Sequence, residues 1–168
     1  MISSNNRRYS GPVGLGVWLQ NTHRKRRRTE QEIKVREMLE ELGVEFEEQY
    51  AISLGYNDGR PGVRREMGVN WAVVDFFIRG KRRDIVLECG RYKMGKSRNH
   101  LMERIRIKSR ELNLRFFEMK SRYDLVCVAF IEAPVPDLKE YIEPRVPYAD
   151  FVVDNFEDLR RLIARLVE

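Results

Sequence analysis

Asp75 and Glu88 are the residues whose type and spacing could do chemistry. They sit in VVDFFIRGKRRDIVLEC (residues 73–89), which otherwise reads as two apolar strands joined by a basic turn. An ionised side chain is costly to desolvate, so a carboxylate inside such a run needs a compensating partner. If the turn RGKRR centres between residues 81 and 82, facing residues sum to 163. Ile78 then faces Ile85, Phe76 faces Leu87, and Asp75 faces Glu88. Opposed residues on one face of a hairpin place their Cβ atoms roughly 4.5–5.5 Å apart. Two like charges ~5 Å apart repel by roughly 3 kcal/mol at an effective dielectric of ~20. A shared proton, a cationic neighbour or a bound metal ion would relieve this. Mg²⁺ suits the pair, since it takes one or two carboxylates and completes its shell with water and phosphate oxygens. A register slipped by one would instead send the acids to opposite faces, toward solvent or arginine.

The flanking pattern predicts the elements that must position this pair. A helix begins at Thr29, shows an inner face of Ile33, Val35, Met38, Leu39 and Leu42, and ends at Gly43. A half-buried strand follows within residues 44–54, then a turn-rich stretch, GYNDGRPGVRREMG (55–68), read as a long loop. Beyond the hairpin, Leu101, Ile105, Lys108, Leu112, Phe116 and Met119 step by threes and fours along one helix from Ser97 to about Tyr123. A break near Asn113 is the alternative. DLVCVAFI (124–131) reads as a strand covered on both faces; a short helix, a strand and a closing amphipathic helix follow. The order α-β-β-β-α-β-α-β-α implies a mixed sheet with helices on both sides, in one domain over residues 29–168.

Charge is unevenly placed. The chain of 168 residues carries +6 overall, with Arg outnumbering Lys 24 to 8. Residues 1–28 form a basic, flexible-looking tail of +7 ending in RKRRR, and residues 79–115 carry +9. The rest is acidic. Two basic regions rich in guanidinium point to a polyanion, most simply nucleic acid. Arg26, Arg27 and Arg28 in the tail, with Arg79, Lys81, Arg82, Arg83, Arg91, Lys96 and Arg98, are the expected backbone contacts. No apolar run approaches a membrane span, no secretory signal is seen, and the two cysteines, Cys89 and Cys127, form no disulfide framework or metal motif. A cytoplasmic protein is expected. His100 stands beside the basic segment without a role that the sequence decides, and His23 lies in the tail.

Thr29-Glu30-Gln31-Glu32, Gln49, Val74-Asp75-Phe76 and Leu87-Glu88-Cys89-Gly90 stand in the order of the motifs of one nuclease superfamily. On these residues the chain resembles the PD-(D/E)XK, or restriction-endonuclease-like, superfamily, and most of all its very-short-patch-repair-type endonucleases. The resemblance covers about residues 29–131. It implies a restriction-endonuclease-like α/β fold, Mg²⁺ (or Mn²⁺) as cofactor, Asp75 and Glu88 as metal ligands, and Glu32 as a third. Thr29 and Glu32 also fit a capping box, a purely structural use. The chain departs from the superfamily where its lysine usually sits, two residues after the glutamate, because that position is Gly90. Lys93, just past the strand, is the expected replacement. Lys108 is the other candidate, although a lysine on an apolar stripe can simply reach past it to water.

These readings converge on a metal-dependent endonuclease acting on DNA. The rival on the same fold is a non-catalytic nucleic-acid-binding module, favoured by Gly90. A basic interaction protein whose arginine tail docks on RNA or a partner is a third. No membrane partner is implied, and a homodimer stays open.

Overall fold

Thr29 opens the first helix by the local chemistry of its side chain. In the computed structural model, which describes residues 27–56, 64–66 and 69–168, helix α1 spans Glu30–Glu41. Thr29 accepts the Glu32 N–H and Glu32 reaches back to the Thr29 N–H, satisfying two otherwise orphaned donors. Gly43 turns the chain out at φ +68°, a left-handed conformation that suits glycine at a helix end. The inner face differs from expectation at one end. Val35, Met38 and Leu39 are buried, but Ile33 is exposed, and Gln31 and Glu32 are buried in its stead. The physical reason is that both polar side chains have partners inside. Gln31 Nε2 donates to the Gly90 carbonyl and to Glu132 Oε1, both at 3.0 Å. Residues 1–26, and with them most of the basic tail including Arg26, lie outside the described residues.

Six strands form one mixed sheet: β1 (Phe46–Tyr56), β2 (Arg64–Glu66), β3 (Val69–Ile78), β4 (Asp84–Arg91), β5 (Leu125–Glu132) and β6 (Phe151–Val153). Their order is β1-β3-β4-β5-β6, with β2 pairing only with β3. The pairs made by β3 are antiparallel, whereas β4–β5 and β5–β6 are parallel. Parallel neighbours need long crossovers. Helix α2 (Arg98–Lys120) supplies the first, and α3 (Leu138–Ile142) with a following 3-10 turn supplies the second. Helix α4 (Phe156–Val167) closes the chain.

One expectation needs correction. The stretch 55–68 is not one long loop: β1 runs on to Tyr56, and Arg64–Glu66 pairs with β3. An Arg-Arg-Glu strand has no apolar alternation to announce it. It forms because β3 has an open edge there for its backbone. Helix α2, by contrast, runs unbroken through Asn113, whose Oδ1 accepts the Tyr148 N–H instead of ending the helix.

The sheet is covered on both sides. Leu101, Ile105, Leu112, Phe116 and Met119 of α2, with Leu138 and Ile142 of α3, pack on one face against Val74, Phe77, Val86 and Cys127. Val35 and Leu39 of α1, with Leu159 and Ile163 of α4, pack on the other against Phe76, Leu87, Cys89 and Phe130. β4 and β5 are therefore the buried spine, and the carboxyl end of β4 emerges between α1 and α2. Among the described residues, no helix is long and apolar enough to cross a membrane.

Candidate active site

At Asp75 the hairpin ladder gives way to side chains. β3 and β4 pair at Ile78–Ile85, Phe77–Val86 and Phe76–Leu87, the register that the constant sum requires. One position further, the Asp75 N–H donates to Glu88 Oε1 at 2.9 Å, and the Cys89 N–H donates to Asp75 Oδ2 at 2.7 Å. The two carboxylates thus interlock across the strands, each taking a backbone donor. On the other side of β3, Glu48 pairs with Phe76 and Tyr50 with Val74. Between them, opposite Asp75 by count, Gln49 is buried with φ +47°. A non-glycine residue in that region costs about 1–3 kcal/mol and persists only when its surroundings demand it. The sheet is distorted where the acids meet.

Electrostatics follow from this placement. Glu88 is only 3% exposed, and Asp75 is partly buried beside it. Burial, and next the Glu88 charge, push the Asp75 carboxyl up to about 7, although the Cys89 N–H pulls the other way. Glu32 raises it further and Lys108 lowers it. Burial also drives the Cys89 thiol well above its usual range, with Asp75 and Glu88 adding to the effect, so Cys89 stays a thiol rather than a nucleophile.

Two cations reach the pair from α2. Arg115 Nε lies 3.0 Å from Glu88 Oε2, and its guanidinium also donates to the Val73 carbonyl. Arg115 was not among the sequence candidates. The available signal was its spacing of seven from Lys108, two helical turns along the same side. Lys108 comes close to Gly90: a Cβ built there would lie 3.5 Å from Lys108 Cε. Lys93 is exposed on the rim and is absent from the charges that act on Asp75. Lys108 thus lies beside Gly90 and acts on Asp75, while Lys93 lines the same cavity from its exposed rim.

Lys108 and Lys93 border a cavity of about 660 Å³, lined also by Thr29–Glu32, Cys89–Arg91 and Arg104, next to the strand end that carries Glu88. The Arg104 guanidinium rests 5.0 Å over the Tyr92 ring, a second pairing that the sequence reading missed. Glu32 lines the cavity too, but its Oε1 is committed to the Thr29 cap. Among the described residues, no three His, Cys, Asp or Glu side chains converge as on a shared metal ion. The Asp75–Glu88 pair could serve as a donor set, since Mg²⁺ accepts hard carboxylate oxygens in ones or twos.

The expected nucleic-acid contacts divide. Arg91, Lys93, Lys96 and Arg98 are exposed at the cavity end, Arg91 within 3.8 Å of Glu30. Lys81, Arg82 and Arg83 are exposed at the opposite end of β4, with Arg83 3.7 Å from Asp124. Arg79 does not belong to a surface track. Its side chain is 9% exposed, lies over Phe77 and sits 3.7 Å from the fully buried Asp84, which needs a countercharge. Arg27 and Arg28 are exposed, and Arg28 pairs with Glu48.

A scan against family models and a search of curated proteins find no match to this chain.

Proposed function

We propose that the chain is a divalent-metal-dependent nuclease of the PD-(D/E)XK type, hydrolysing phosphodiester bonds in nucleic acid, DNA in the first instance, in the cytoplasm. The observation that carries this reading is the interlocked Asp75–Glu88 pair, with Lys108 reaching toward Gly90 from the lining of a cation-rich cavity at the end of β4. Asp75 and Glu88 would hold the metal, which when bound acidifies a coordinated water and neutralises phosphate charge. Lys108 would stand beside the developing negative charge, where a fixed cation is most effective. Arg91, Lys93 and Arg104 would hold the flanking backbone, positioning it without reading sequence. Cys89 and Cys127, both buried and unpaired, suit a reducing compartment.

The test is Mg²⁺-dependent cleavage of single-stranded, duplex and branched DNA and RNA by the parent and Asp75→Asn. Cleavage should fall by at least about a hundredfold in the variant, as for loss of a group acting directly on the reacting centre. Equal cleavage by both would sink the assignment. One observation favours the rival binding module: Arg115 already supplies Glu88 with a countercharge. On that reading no substrate of the panel is cut, while salt-sensitive binding remains.

A further inference from the structure

Glu88 has a resident cation. Its carboxylate is 3% exposed, one oxygen accepts the Asp75 N–H, and the other faces Arg115 Nε at 3.0 Å. The Nε–H is not aligned on that oxygen as a hydrogen bond would be, so the contact is mainly charge on charge. The guanidinium also donates to the Val73 carbonyl, and the side chain is 27% exposed, so it is not locked in the core. Lys108, from the same helix, acts on the neighbouring Asp75. An attraction built on charge rather than aligned geometry is one that a stronger cation can replace.

We propose that Arg115 is a built-in competitor for the divalent ion at Glu88 and sets how tightly that ion binds. This rests on Asp75 and Glu88 being the metal pair. Arg115 holds the Glu88 carboxylate in place and compensates its charge. A divalent ion held by Glu88 would share that carboxylate with the Arg115 guanidinium, and the two cations would repel in a poorly screened setting. Affinity is thereby reduced, and the site fills only where the ion is plentiful or where substrate phosphate adds negative charge. Arg115 acts through Glu88 and so is a positioning residue.

The experiment is Mn²⁺ binding by calorimetry to the full chain as parent, Arg115→Gln, Arg115→Lys and Asp75→Asn, with no substrate present. Removing the charge should tighten Mn²⁺ binding by at least about tenfold, whereas Arg115→Lys, which keeps it, should stay near the parent. Equal or weaker binding by Arg115→Gln overturns the proposal while leaving the metal pair intact. Binding that Asp75→Asn leaves unchanged, or no binding by any of the four, overturns the metal pair and the proposal together. Should Arg115→Gln not fold, the parent decides, with Arg115→Lys used only for assignment. Its Arg115 Nε–H resonance, assigned by its loss in Arg115→Lys, should shift with Mg²⁺, and a resonance that does not move overturns the competition.

Discussion

Asp75 is held partly buried against Glu88, so its proton is retained to a pH at which an exposed aspartate has long lost it. Its carboxyl is pushed up to about 7 in the folded protein, mainly by burial and then by Glu88. An unfolded chain releases that proton near ~3.9. The folded state therefore binds more protons between these values. The contribution of this group to stability is fully present at low pH and is lost as pH rises through about 7. At about 1.4 kcal/mol per pKa unit the loss is bounded at ~4 kcal/mol. Asp75→Asn removes the titration and the repulsion. In EDTA, the melting temperature of the variant minus that of the parent should grow between pH 5 and pH 8. Adding Mn²⁺ at pH 8 should raise the parent and not the variant, because only a ligand of the native state stabilises it. A difference that stays flat from pH 5 to pH 8 would show that the carboxylate is already compensated, with Arg115 and Lys108 the groups responsible.

At the scale of the element, the proposed function puts on α2 the lysine that the strand end lacks. β4 presents Gly90 two residues after Glu88, and the helix fills the space with Lys108. Lys108→Ala should lower cleavage by two or more orders of magnitude with Mn²⁺ binding retained, while Lys93→Ala should cost only modest substrate affinity. A Cβ at Gly90 meets only side-chain atoms, at 3.4 Å or more, and Gly90 has no left-handed φ to protect. Gly90→Lys in the Lys108→Ala background should therefore restore part of the rate. If Lys93→Ala is the damaging variant, the rim lysine bends inward on binding substrate, and the helix has been credited wrongly. The acid pair was legible from the sequence because a tight hairpin makes register a matter of counting, as Phe76–Leu87 and Ile78–Ile85 illustrate. Arg115 was not, because it meets Val73 and Glu88 through a crossover whose packing no local pattern encodes. Ile33 and Gln31 exchanged their expected places for a similar reason. Apolar periodicity cannot see a buried amide whose partners, Gly90 and Glu132, lie far along the chain.

Over the whole molecule, the basic segment 79–115 is split by the strand that runs through it. The turn with Lys81, Arg82 and Arg83 and the rim with Arg91 lie at opposite ends of β4, ~23 Å apart at ~3.3 Å per residue. Arg79, inside the protein with Asp84, joins neither. A backbone bound at the cavity passes the rim, and the turn meets it only if the nucleic acid also follows the full length of the strand. Counterion release makes this measurable, since each phosphate neutralised contributes about 0.9 to the slope of log K against log salt for duplex DNA. Replacing Arg91, Lys93 and Arg104 with serine should flatten the slope by up to ~2.7, if each contacts one phosphate. Replacing Lys81, Arg82 and Arg83 should leave the slope nearly unchanged, and should cost little stability because the Arg83–Asp124 pair is exposed on both sides. Equal flattening by both triplets would mean that the bound strand runs along the sheet from turn to rim. The cavity would then be one stop on a longer track instead of its end.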